Sequence, residues 1–165
     1  MNLIPYPKYK LIDETILDTE WLFSHSMKQN INRADILVRM LAIDNYYQKN
    51  DFGFQLYDTM QRLRCKLNPN APADHADYQD EFIKLIRSFE NGYDYRYPII
   101  LNRHRELLDG SHRLSLCLYN NISQVPVLVY DDPALVDYSL EWFISNGLNY
   151  FEPFIRQKYY EATNK

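Results

Sequence analysis
Between residues 98 and 130 the apolar residues arrive in runs too short for helices, and this punctuation constrains the fold more than any other feature of the chain. Pro98-Ile99-Ile100-Leu101 and Glu106-Leu107-Leu108 each read as a short strand, separated by the polar turn Asn102-Arg103-His104-Arg105. Asp109-Gly110 closes the second strand as a tight turn. Ser111 to Asn120 then reads as a helix, with Leu114, Leu116, Cys117 and Leu118 largely buried and Asn120-Asn121 at its end. Val125 to Tyr130 (Val-Pro-Val-Leu-Val-Tyr) is another strand.

The rest of the chain has mainly helical spacing. Lys8 to Leu17 is extended in character, with a strand expected around Tyr9–Ile12. Asp18 or Thr19 is placed to cap a short helix carrying Trp21, Leu22 and Phe23. Asn32-Arg33-Ala34-Asp35 opens a stronger helix, whose apolar residues Ile36, Leu37, Met40, Leu41, Ile43 and Tyr47 recur through about Gln48. Asn50-Asp51-Phe52-Gly53 breaks it. A second helix runs to about Leu67, and the prolines Pro69 and Pro72 impose a loop. A third, from about Ala76 to Glu90, carries the stripe Phe82, Ile83, Leu85, Ile86 and Phe89 and ends at Asn91-Gly92. Asp131-Asp132-Pro133 is expected to start a further helix with proline in its first turn, running through Leu135, Leu140 and Trp142 to stop at Asn146-Gly147. Tyr150 to Tyr160 reads as a last helix. Short strands beside long helical stretches define an α+β fold, and 165 residues suit a single domain, 1–165.

Composition narrows the function classes. A formal net charge of −4 and a pI near 5.5 make nucleic acid an unlikely partner, since its binders usually show a basic excess. Cys65 and Cys117 lie far apart, giving neither a disulfide framework nor metal-ligand spacing, and Cys117 falls in an apolar helical pattern that suggests a buried, inert thiol. No apolar run approaches the ~18 residues of a membrane helix. The N-terminus lacks the charged and apolar regions of a signal peptide, so the expected location is cytoplasmic. The 15 tyrosines fit either a wet, grooved surface or a compositional bias.

The chemistry concentrates at Asp109-Gly110-Ser111-His112-Arg113. A glycine before a helix lets a ligand approach the backbone closely. The first helical N–H groups lack intrahelical partners and carry partial positive charge, so they attract phosphates. Arg113 can fork onto phosphate oxygens, His112 donates one bond when neutral and two when protonated, and Ser111 adds a hydroxyl. Asp109 could hold Mg2+ or orient a nucleophile. The plainer alternative makes Asp109 or Ser111 an N-cap and Arg113 a surface cation.

The surroundings of this turn resemble the ParB/sulfiredoxin superfamily over roughly residues 80–130. The shared features are a helix ending in Gly92, the Pro98-Ile99-Ile100-Leu101 strand, a strand ending in Asp109-Gly110-Ser111-His112-Arg113, a helix, and Val125-Pro126-Val127. The resemblance implies an α+β nucleotide-binding core, with residues 25–75 as a helical insertion and residues 131–165 as a helical C-terminal extension. Sulfiredoxins carry a catalytic cysteine before the His-Arg pair; Ser111 stands there in this chain, which speaks against sulfinic-acid repair. The partition proteins, which bind CTP, carry a Gly-Glu-Arg-Arg type of box followed by a DNA-binding module and a dimerisation domain, and the residues after 130 are not expected to accommodate both; this chain has Gly110-Ser111-His112-Arg113 at the box. The free serine kinase branch carries Asp-Gly-His-His-Arg, which Asp109, Gly110, His112 and Arg113 match and Ser111 does not. That branch also uses a glutamate near the end of its first strand. Leu17-Asp18-Thr19-Glu20 is similar, with Asp18 in place of a proline, and nominates Glu20 as general base.

The resemblance therefore implies a small-molecule kinase using ATP or ADP (CTP remaining open) with Mg2+. Asp109, His112 and Glu20 would be catalytic, Gly110 to Arg113 would bind the nucleotide, Asp109 would hold the metal, and a hydroxyl-bearing molecule would accept the phosphoryl group. A non-catalytic nucleotide-binding or partner-docking module is the alternative; an acid beside the γ-phosphate distinguishes the two. A DNA-binding or nuclease-like protein is a third, disfavoured by charge. Oligomeric state stays open. Arg103, His104 and Arg105 read as a solvated basic turn, and Arg62 and Arg64 as surface charges or, if the insertion covers the site, contacts to an anionic substrate. His25 and His75 have no metal-ligand partners. Asp51-Phe52-Gly53 lacks every other element of a protein-kinase metal motif.

Overall fold
Four strands form one mixed sheet in the computed structural model, which describes residues 8–28, 30–68 and 77–164. They are β1 (Leu11–Asp18), β2 (Ile99–Leu101), β3 (Leu107–Asp109) and β4 (Gln124–Tyr130), in the order β1-β4-β2-β3. β1 runs antiparallel to β4, β4 parallel to β2, and β2 antiparallel to β3. Val125, Val127 and Val129 of β4 are buried, and their partners on β1 are Leu17, Thr15 and Asp13. The opposite face of β1 carries Ile12 and Ile16, about half exposed. Polar and apolar residues thus occur on both faces of β1, which explains the weak alternation. The strand runs to Asp18, well beyond the expected Tyr9–Ile12.

The helices are α1 (Thr19–Met27), α2 (Ala34–Tyr46), α3 (Gly53–Leu67), α4 (Tyr78–Ser88), α5 (Ser111–Tyr119), α6 (Leu140–Ser145) and α7 (Glu152–Thr163), with 3-10 turns at Phe89–Asn91 and Asn149–Phe151. Asp18 caps α1, accepting from the Trp21 amide at 2.8 Å, while Thr19 lies inside the helix and donates to the Ile122 carbonyl. The Pro69–Pro72 loop and His75 lie outside the described residues.

α2 is the centre of the molecule. Every residue from Ala34 to Asp44 is buried, and the helix packs on α3, α5 and α7. The segment 25–75, expected as an insertion, therefore supplies core as well as cover. The apolar stripe of α4 closes over it through Phe82 and Ile86, both buried.

The helix expected from Asp131 is a correction. Residues 131–137 are not helical, and α6 begins only at Leu140, capped by Ser139, whose hydroxyl accepts from the Trp142 amide. The acid-proline signal is used otherwise. Buried Asp132 accepts from the Ala134 amide through its carboxylate and from the Arg103 amide through its carbonyl, and Asn102 donates to the Ala134 carbonyl. These bonds tie the strap to the β2–β3 turn instead of starting a helix. Among the described residues no helix is long and apolar enough to cross a membrane.

Candidate anion-binding site
β3 delivers the chain to Gly110, whose φ of 111° and ψ of 22° lie in the left-handed region. A Cβ there would also sit 3.1 Å from Cγ1 of Ile99, so both the turn and the close approach to β2 require glycine. α5 starts at once, and no side chain caps it. The plain N-cap alternative for Asp109 or Ser111 is therefore not what the turn contains. The first intrahelical bond runs from the Leu114 amide to the Gly110 carbonyl at 2.8 Å, leaving the Ser111, His112 and Arg113 amides without an intrahelical acceptor.

The side chains of the turn diverge. Asp109 is 76% exposed, with only a loose 3.8 Å approach from Arg113. Arg113 donates to the Pro98 carbonyl at 3.0 Å and lines a cleft of about 480 Å³ together with Phe89, Gly92, Tyr93 and Tyr97. Ser111 is buried, and its hydroxyl accepts from Nη2 of Arg33 at 3.1 Å.

His112 does not point as a cation toward a phosphate. Its Nε2 shares a 2.8 Å hydrogen bond with the Tyr57 hydroxyl, and its ring meets Phe82 edge-on, 4.9 Å between centroids. Burial pushes its pKa well below the usual histidine value, and nearby Arg39 and Arg64 push the same way. It is neutral at physiological pH, so the two-donor form is absent. Burial also pushes Tyr57 up to about 12, so its hydroxyl keeps its proton.

Behind the turn lies a cluster that sequence reading largely missed. Arg33 forks onto Asp35 through Nε and Nη2, each at 2.9 Å, and donates from Nη1 to the Leu107 carbonyl. Asp35 also accepts from Arg39 at 2.8 Å. Burial alone would raise the Asp35 carboxyl, but Arg33 and Arg39 hold it far below the usual carboxylate range. Gln61 then accepts from both Arg39, at 3.3 Å, and Arg64, at 2.7 Å. The Arg64 guanidinium stacks 4.2 Å from the Tyr138 ring. Two guanidiniums thus share one carboxylate, and a third joins the cluster through Gln61. Burial and the Arg64 charge draw Arg39 down to about 10 despite its pair with Asp35. The Nε groups of Arg39 and Arg64 are buried with no hydrogen-bond partner among the described residues. The signal for this cluster was weak but present: Asp35 and Arg39, spaced i,i+4, interrupt an otherwise apolar helix.

Glu20 is elsewhere. It is exposed on α1 and lines a hollow with Phe23, Met40 and Leu118. Leu118 is seven residues along α5 from Ser111, about 10 Å at 1.5 Å per residue. The expected general base stands at the far end of the helix from the phosphate turn.

The remaining basic residues are mostly paired. Arg62 pairs with Asp58, Arg103 with Asp131 and Arg105 with Asp13. His25 bonds the His104 carbonyl at 2.8 Å. Cys117 is buried, and burial raises its thiol to about 12. Among the described residues, no three His, Cys, Asp or Glu side chains converge to hold a metal. Comparisons with protein-family models, with curated proteins and with solved structures find no match. Fold and site alone therefore define the class: an α+β protein whose uncapped helix start is backed by a buried excess of arginine.

Proposed function
We propose that this chain is a nucleotide-binding module, of the ParB/sulfiredoxin kind that its motifs resemble, which holds a nucleotide's phosphates at the start of α5. The observation that carries this reading is the pairing of an uncapped helix N-terminus at left-handed Gly110 with three guanidiniums and one carboxylate behind it. Oriented amides and uncompensated positive charge in a partly desolvated setting favour a polyanion. Arg113 lies between the turn and the aromatic cleft of Phe89, Tyr93 and Tyr97, so a nucleoside could extend that way. ATP, ADP and CTP all carry the phosphates this reading needs.

Binding is favoured over transfer because Glu20, the expected base, is at the opposite end of α5. Phosphoryl transfer to a hydroxyl-bearing acceptor is the second reading, favoured by one feature: Asp109 places an exposed carboxylate at the turn itself. With nucleotide phosphates, one carboxylate can suffice to hold Mg2+.

A thermal-shift series with ATP, ADP, CTP and inorganic triphosphate, with and without Mg2+, tests the proposal. At least one should raise the melting temperature, and Arg64→Met should reduce the rise. No shift with any of them overturns it. ADP release from ATP that Asp109→Asn abolishes would favour the transfer reading.

A further inference from the structure
A second hollow, of about 280 Å³, lies beside α1, the start of α2, the β2–β3 hairpin and the 135–139 strap. Arg33 stands between it and the phosphate turn, lining the hollow while its Nη2 reaches Ser111. We propose that this hollow binds a small, neutral, polyhydroxylated molecule of monosaccharide or cyclitol size. The inference does not depend on the nucleotide reading.

The first reason is Ser26. Ser26 lines the hollow, the residue is 3% exposed, and its buried Oγ has no hydrogen-bond partner among the described residues. Unpartnered buried hydroxyls are costly and uncommon, and a ligand hydroxyl would satisfy this one. The second reason is how the charges are spent. Lys28 and Glu106 pair with each other, and Arg33 is committed to Asp35 and the Leu107 carbonyl. An anionic ligand would have to break one of these pairs to reach Lys28 or Arg33. A neutral ligand can hydrogen-bond around them, using the Glu106 and Asp137 carboxylates as acceptors and the Asn32 amide as donor or acceptor.

The third reason is the lip. Leu135 is 73% exposed, beside Val136 on a strap held by Asp132 and Asn102. With Leu107 it offers an apolar surface suited to the C–H face of a sugar or cyclitol ring. A hollow of about 280 Å³ suits a ligand of this size, at the small end of the range of about 300–1,000 Å³ that ligand pockets occupy.

The experiment is an amide NMR titration of the intact chain with glucose, myo-inositol, glucose 6-phosphate and a zwitterionic amino acid, glycine. Glucose or myo-inositol should shift the Ser26, Asn32 and Asp137 amides in a saturating manner. Ser26→Ala, which removes a hydroxyl that has no partner, should fold as the parent does and bind at least tenfold more weakly. Asp137→Ala, on the exposed strap, should also weaken binding. Saturable shifts from glucose 6-phosphate or glycine alone overturn the neutral class. No saturable shift from any titrant, or undiminished binding by Ser26→Ala, overturns the site.

Discussion

His112 and Asp35 have opposite proton linkages. His112 is buried neutral, so its folded-state pKa lies below the ordinary value of 6.5. Below pH 6.5 the unfolded chain binds a proton that the folded chain refuses, and stability falls as pH drops toward the folded-state pKa. The slope can reach about 1.4 kcal/mol per pH unit. His112→Gln, which retains a polar group for Tyr57 without titrating, should flatten the pH dependence of urea stability between about pH 6.5 and 5; an unchanged slope would count against a neutral buried imidazole. Asp35 is the reverse. Its depressed pKa contributes stability that is full above the unfolded value of 3.8 and is lost as pH falls toward the folded-state value. Asp35→Asn leaves Arg33 and Arg39 buried without a counter-charge and should cost about 3–5 kcal/mol in urea denaturation. The sequence exposed these residues unequally. Asp109 to Arg113 are contiguous, so their turn and helix start can be read locally. Arg33 and Arg39 meet on Asp35 within α2, but Arg64 joins them only when α3 folds against α2, and nothing in their spacing announces Ser111 as the neighbour of Arg33.

The same division holds for whole elements. The α1 cap was legible because Asp18 acts on an amide three residues away. The α6 start was not, because Asp131-Asp132-Pro133 carries the same local signal, while Asn102 and Arg103, from a different turn, capture this segment through hydrogen bonds. Ser139 became the cap after that capture had moved the helix start to Leu140. Its hydroxyl bond to the Trp142 amide satisfies one free helix-end donor. Ser139→Ala should therefore cost about 1 kcal/mol in urea denaturation, with little change in total helix by circular dichroism because α6 spans only Leu140–Ser145. A loss under a few tenths of a kcal/mol would mean that the strap, rather than the cap, holds α6 in place.

At the scale of the molecule, the site depends on how closely α2 and α3 cross. Gly53 begins α3, and a Cβ built there would lie 2.0 Å from the Leu41 carbonyl oxygen and 2.9 Å from Cα of Ala42. The obstacle is backbone, which cannot rotate aside. Two effects compete in Gly53→Ala. Alanine is about 1 kcal/mol better than glycine inside a helix, a gain that is smaller at the first helical residue. Overpacking against a core helix costs about 1–3 kcal/mol and sometimes more, and a 2.0 Å approach belongs at the upper end. The clash should win, lowering stability by about 2 kcal/mol or more. Its effect should also reach the site. α3 carries Tyr57 against His112 and Gln61 and Arg64 against Arg39, so separating α3 from α2 loosens the cluster behind the phosphate turn. Gly53→Ala should therefore lower the melting temperature and also shrink any nucleotide-induced rise. A variant as stable as the parent would show that α2 and α3 can part without cost, and the close crossing would then not be what holds the arginine cluster behind α5.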